Sequence, residues 1–110
     1  MLIRGSGWLN EVAFFHVPSG TLLLEDVIQI HERRAGRPLR NLLLALGGVA
    51  APDGGVGRDI RLTFRHRDAA RASVDRIVQW DFDKLVIAHG PVVTHDARRI
   101  VEKAFAWLNR

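Results

Sequence analysis

A histidine follows directly after a short apolar run near the carboxyl end of the chain. Residues Lys84 to Ala88 predict a short buried strand, and His89-Gly90 comes immediately after it. Open α/β sheets bind ligands beyond the carboxyl ends of their strands, and a glycine lets the chain turn while the imidazole stays accessible. His89 is therefore a candidate ligand, and a hydrogen-bonded structural histidine is the alternative.

Two carboxylates stand at the ends of a predicted β-hairpin. The run Glu11 to His16 predicts one strand, Val17-Pro18-Ser19-Gly20 a turn, and Thr21 to Asp26 the second strand. If His16 pairs with Thr21, then Glu11 pairs with Asp26, and directly opposed side chains lie roughly 5 Å apart. Such carboxylates repel each other unless one is protonated or a cation lies between them. The alternatives are that both turn to solvent or to arginines, or that a one-residue register shift separates them.

The remaining polar residues show weaker patterns. His31, His66 and His95 have no ligand spacing with one another, and His31-Glu32 lacks the second histidine of a zincin helix. Ser19 has no base that the sequence places beside it, which predicts a turn residue. The glycine-rich stretch from residue 50 to 59 lacks the Lys-Ser/Thr of a phosphate-binding loop and predicts a plain loop.

The predicted elements form a single α/β domain over residues 1–110. Apolar side chains on both faces of the hairpin strands predict a sheet that is covered on both sides. Three helices are predicted by apolar spacing: Pro38 to Leu46, Asp68 to Trp80, and Asp96 to Asn109 with Asp96 as N-cap. The order is hairpin, helix, loop, helix, strand, helix, and residues 27–36 are ambiguous.

The composition limits the classes of function. The chain has 47% hydrophobic and 25% charged residues, as globular domains do, and it has no cysteine. Disulfides and thiolate ligands are thereby excluded, a cytoplasmic location is expected, and no apolar run is long enough to cross a bilayer. The net charge of +4 could attract nucleic acid, but acidic residues are interspersed among the arginines. Trp8, Trp80 and Trp107 are expected to be core or capping residues, not a stacking platform for bases.

Three segments together resemble a known group of proteins. The run from Asn10 to Asp26 resembles a hairpin in an uncharacterised, domain-of-unknown-function branch of the metallo-β-lactamase-like superfamily. The run from Trp80 to Gly90 resembles that branch's later strand and histidine motif, and Ala104 to Leu108 is similar to its closing segment. The resemblance extends over nearly the whole chain. It implies an α/β fold, specifically the carboxy-terminal half of an αββα sandwich with a metal site along one edge of its two sheets.

The same resemblance implies roles for individual residues. Asp26 corresponds to the aspartate that bridges two metals and His89 to the last histidine ligand, while Glu11 or Asn10 stands where many members carry an earlier histidine. The His-x-His-x-Asp-His motif of the amino-terminal half is missing from the sequence. Because a catalytic zinc needs three protein ligands and an open position, Asp26, His89 and Glu11 are at best an incomplete site. The ion could be zinc, iron or manganese, or this chain could hold none.

The resemblance favours two functions over a third. The first is a metal-dependent hydrolase of unknown substrate, acting on an ester, amide or phosphoester, whose missing half comes from a second copy in a homodimer or from another chain. The second is a catalytically inactive fold remnant or protein-interaction module. A nucleic-acid binder is the third. Half a sandwich would leave one sheet edge and one apolar face uncovered, which is why a partner is expected.

Overall fold

Short strands and helices alternate along the chain. The computed structural model describes residues 1–109. Over that range the strands are β1 (Leu2–Ile3), β2 (Glu11–Val12), β3 (Phe14–His16), β4 (Thr21–Leu23) and β5 (Lys84–Val86). The α-helices are α1 (Pro38–Gly47), α2 (Arg58–Arg61), α3 (Arg67–Val78) and α4 (Ala97–Phe105), with 3-10 turns at Val17–Ser19 and Ala106–Asn109. The fold is thus α/β, with two small sheets and four α-helices in these 109 residues.

The predicted hairpin forms with the predicted register. His16 pairs with Thr21 and Phe14 with Leu23 across the antiparallel β3–β4 pair. Gly20 closes the turn with a φ of 65°, a left-handed conformation that glycine adopts without strain. β5 then adds to β4 in parallel, so that the sheet order is β3-β4-β5.

The hairpin ladder is shorter than the sequence predicts. It was expected to extend to Glu11 and Asp26, but β4 ends at Leu23 and the first strand is interrupted at Ala13. Glu11 pairs instead with Ile3 of β1, in a separate two-stranded sheet. Glu11 and Asp26 are therefore not cross-strand neighbours. The reason is that the Glu11 side chain accepts hydrogen bonds from the backbone amides of residues 25–27, which follow β4.

The three-stranded sheet is covered on one face only. Leu22 and Leu85 are fully buried against the core, and Phe15 stacks on Trp80 with ring centroids 5.8 Å apart. On the opposite face, Phe14 is 59% exposed and Leu23 is 36% exposed. The prediction that apolar residues on both faces mean two-sided cover is therefore wrong for this chain alone.

Two of the predicted helices supply the cover. α3 contacts β1 and α4, and α4 contacts β5. Their buried residues follow the helical spacing expected from the sequence and include Ala70, Val74, Ile77, Ile100, Val101, Ala104 and Phe105. Asp96 stands at the N-cap of α4 as predicted, but in a left-handed conformation and without a side-chain capping bond. α4 ends at Phe105, four residues before the predicted end.

Helix α1 forms where it was predicted but packs differently. Pro38 begins it, and Gly48, with a φ of 80°, ends it. None of its residues is buried, and four leucines at i, i+3, i+4 and i+7 are more than half exposed: Leu39, Leu42, Leu43 and Leu46. We call these four residues the α1 leucine stripe.

Two further differences from the sequence predictions concern α2 and Trp8. α2 is a single turn that the apolar spacing did not predict. Trp8 was expected in or against the core and is 72% exposed, whereas Trp107 is buried as expected. Within residues 1–109 no helix is both long and apolar enough to cross a membrane.

Candidate functional site

The sheet brings Asp26 and His89 together at one rim. Because β4 and β5 are parallel, their carboxyl ends meet at the same edge of the sheet. The segments beyond the strands stay joined, since the Ala88 amide donates to the Glu25 carbonyl over 3.2 Å. Asp26 Oδ1 lies 3.1 Å from His89 Nε2, and both side chains are about half exposed. The two residues most strongly indicated by the sequence are thus direct partners.

Glu11 makes hydrogen bonds that the sequence did not predict. Its side chain is 1% exposed, and its carboxylate accepts hydrogen bonds from the backbone N–H groups of Glu25 at 2.9 Å, Asp26 at 2.8 Å and Val27 at 2.7 Å. Both carboxylate oxygens are engaged in this way, so they do not face the Asp26 carboxylate. The Glu11 carboxylate thus holds the backbone of Asp26 and of its two neighbours in place. To act as a third metal ligand, Glu11 would have to break these hydrogen bonds.

A second histidine lies beside the pair, although no sequence pattern predicted it there. The rings of His31 and His89 are nearly parallel, with centroids 6.4 Å apart, and His31 Nε2 is 2.8 Å from Gln29 Oε1. Residues 27–36 adopt neither helix nor strand, which is why their pattern was ambiguous. The Ile30 amide donates to the His89 carbonyl over 2.9 Å, and this bond aligns the segment with the strand tip.

The environment of His31 favours its neutral form. Burial lowers the pKa of His31 below its ordinary value, and the nearby charges of His89 and Arg40 lower it further. At neutral pH the imidazole is therefore uncharged, with one nitrogen available as an acceptor. A neutral imidazole is the form that coordinates metals or accepts a proton.

Gly90 permits the close approach of these two segments. A Cβ atom at position 90 would lie 2.7 Å from Ile87 Cδ1 and 3.0 Å from the Ile30 carbonyl oxygen. Contacts this short require movement of the neighbouring atoms. The glycine predicted to leave His89 accessible thus also lets residues 27–36 pack against the end of β5.

The Asp26–His89 contact is an ion pair when the imidazole is protonated. Its 3.1 Å is also close to the separation of about 3.3 Å between two donors that lie about 2.0–2.1 Å from a tetrahedral zinc. Within the part of the chain that the structure describes, no group of three histidine, cysteine, aspartate or glutamate side chains is arranged to hold a metal.

Ser19 does have a histidine beside it, contrary to the sequence interpretation. Its Oγ lies 2.7 Å from His16 Nδ1 and 2.7 Å from Thr21 Oγ1. The predicted His16–Thr21 pairing could have indicated this, because the pair flanks the turn that contains Ser19. All three bonds of the Ser19 hydroxyl, including a 3.5 Å bond to the His16 carbonyl, close the exposed turn. The cluster lies at the opposite end of the hairpin from Asp26, and its role as a turn former stands.

Comparisons with known proteins do not identify a relative. No family model matches the chain, and neither a curated protein nor a solved structure matches it.

Replacing Glu11 tests its support of the Asp26 backbone. Glu11→Gln keeps the shape but places an amide N–H against backbone donors, so we expect a loss of about 2 kcal/mol in the free energy of unfolding. Urea denaturation measures it. Glu102→Gln, at an exposed position of α4, is the matched control and should change stability by less than about 0.5 kcal/mol. Equal stability of the two variants would show that the buried carboxylate is dispensable.

The titration of His31 follows from its surroundings. Its pKa in the folded chain is below that of the unfolded chain, so the unfolded chain binds the proton more readily. Stability should therefore fall as the pH drops from about 6.5, the ordinary histidine value, toward the lower folded value. NMR titration of the imidazole signals measures the pKa directly, and Arg40→Ala should raise it. A midpoint at or above the ordinary value would contradict the proposed effect of burial and charge.

Proposed function

We propose that this chain is the carboxy-terminal half of a metallo-β-lactamase-like domain and contributes Asp26 and His89 to a metal-dependent hydrolase site. The observation that supports this most is the 3.1 Å contact between Asp26 Oδ1 and His89 Nε2 at the rim of a parallel strand pair. The remaining ligands would come from a second copy or from another chain. Zinc, iron and manganese all accept one carboxylate and one imidazole among their ligands.

Two further features agree with half a layered domain. The three-stranded sheet has its helices on one face, while Phe14 and Leu23 on the other face are exposed. Asp26 and His89 are each about half exposed, so groups from another polypeptide can reach them. Within this chain, Glu11 would set the position of Asp26, and His31 would lie close enough to orient bound groups. The substrate classes open to such a site are esters, amides and phosphoesters.

Metal binding by the full chain tests this function. Isothermal titration with zinc or manganese, and metal analysis of the purified protein, should show an ion whose affinity falls at least about tenfold in Asp26→Ala and in His89→Ala. His95→Ala, at an exposed position outside the site, is the control and should bind like the wild type. Metal uptake that is unchanged in both site variants, or no uptake of zinc, iron or manganese at all, would contradict the proposal.

A protein-interaction module is the second candidate, and the α1 leucine stripe favours it. A contiguous apolar surface of this kind is typical of a contact with another protein. The exposed sheet face adds a second apolar region on the same chain. We propose that a second copy of the chain packs against the α1 leucine stripe, because a symmetric contact would bury the same apolar surface on both copies.

The oligomeric state tests the second candidate. We expect a dimer in size-exclusion chromatography with light scattering at micromolar concentration, and a monomer for the double substitution Leu42→Glu, Leu46→Glu, because the charges cannot be buried in the contact. Leu62→Glu, at a site that is 84% exposed and away from α1, is the control and should stay dimeric. A wild-type chain that remains monomeric would exclude the homodimer.

Nucleic-acid binding has less support. Trp107 is buried and Trp80 stacks on Phe15, so of the three tryptophans only Trp8 presents most of its ring to solvent. A single exposed tryptophan is a poor platform for successive bases. The net charge of +4 remains the main feature that favours nucleic-acid binding.

A further inference from the structure

A cleft opens beside the Asp26–His89 pair, and we propose that it binds the phosphate group of a small phosphoester. The inference rests on the proposed function and names its substrate class. The cleft has a volume of about 420 Å³. It is lined by Ile30, His31, Glu32, Arg34, Arg40 and His89, together with the turn that follows His89. Because His89 belongs both to the cleft wall and to the pair, a group bound here lies next to the candidate metal ligands.

Arg40 is held in place at the cleft. Its Nη1 donates to the Glu32 carbonyl over 2.9 Å, and this bond ties the first turn of α1 to the cleft segment. The guanidinium has further N–H donors that this bond does not use. Arg40 lines the cleft together with His31 and His89.

The backbone of Arg34 is held by hydrogen bonds to the Asn41 side chain. Its amide donates to Asn41 Oδ1 and its carbonyl accepts from Asn41 Nδ2, each over 2.9 Å. The Arg37 amide also donates to the Arg34 carbonyl, over 3.2 Å. The chain between the cleft and α1 is therefore braced by α1 itself. Both arginines of the cleft lining therefore stand on hydrogen-bonded backbone, Arg34 in the segment that Asn41 holds and Arg40 in α1 itself.

The charges of the cleft favour a tetrahedral oxyanion. The residues that line the cleft include two arginines, Arg34 and Arg40, and one acidic residue, Glu32. Guanidinium donors match phosphate oxygens with directed, charge-assisted hydrogen bonds. The volume suits a small molecule, and the two arginines are confined to one cleft, unlike the extended basic surface that follows a polynucleotide backbone.

Phosphate binding by metal-free protein tests the inference. Inorganic phosphate is titrated into the chelator-treated full chain at constant ionic strength and followed by NMR of the His31 and His89 imidazoles. We expect saturable shifts of both signals and an affinity about fivefold weaker, or more, in Arg40→Ala. Arg40→Lys keeps the charge but not the planar fork and should be intermediate. Backbone amide spectra verify that each variant is folded.

Two controls separate the cleft from general charge effects. Glu32→Gln removes the one carboxylate and should strengthen phosphate binding about twofold to threefold. Arg76→Ala removes the same charge from an exposed position of α3 and should leave the affinity unchanged. Equal weakening in Arg40→Ala and Arg76→Ala, or no saturable shift with millimolar phosphate, would overturn the inference.

The result of the phosphate titration is independent of the result of the metal-binding experiment. Phosphate binding without any metal uptake would support the cleft and contradict the hydrolase. Metal uptake without phosphate binding would contradict the phosphoester inference alone. Oligonucleotide binding that is insensitive to Arg40→Ala, combined with absent phosphate binding, would place the anion-binding surface elsewhere and also overturn the inference.

Discussion

One buried carboxylate organises the rim on which the candidate site stands. Glu11 is almost inaccessible to solvent, and burying a charged group is costly unless hydrogen bonds compensate for the lost water. Three backbone amides in succession, from Glu25 to Val27, supply that compensation. These bonds fix the orientation of the three amides, and therefore also the direction in which the Asp26 side chain projects from the backbone. The Glu11 carboxylate thus provides hydrogen-bond acceptors for amides that lie beyond the end of β4 and have no partner in the hairpin.

The parallel pairing of β4 and β5 provides the second constraint. Antiparallel strands would place the residue after one strand beside the start of the other, whereas parallel strands end at the same rim. Asp26 and His89, 63 positions apart in the sequence, meet for this reason. Hydrogen-bonded backbone lies on both sides of the pair, since the Ala88 amide donates to the Glu25 carbonyl and the Ile30 amide donates to the His89 carbonyl.

The sequence predicted the parts that depend on local patterns. The hairpin register, α1 from its proline, and α3 and α4 from their apolar spacing are all present, with ends that differ by a few residues. The meeting of Asp26 with His89 followed from no local pattern and was implied only by the family resemblance. The patterns could not predict β1, a two-residue strand whose partner is Glu11, or the single turn of α2. The hydrogen bonds of Glu11 were also not predicted, because bonds to distant backbone amides leave no periodic signal. His31 was missed for a similar reason, since long-range backbone bonds to Val49, Ala51 and, through Ile30, to His89 place its segment.

The missing side chain at position 90 has a consequence for the shape of the cleft. A methyl group there would meet Ile87 Cδ1 and the Ile30 carbonyl oxygen, so at least one of them would have to shift. The Ile87 side chain can rotate, whereas the Ile30 backbone is bonded to the His89 carbonyl. The hydrogen atom at position 90 therefore lets two walls of the cleft, the turn after His89 and the segment with Ile30 and His31, lie directly against each other.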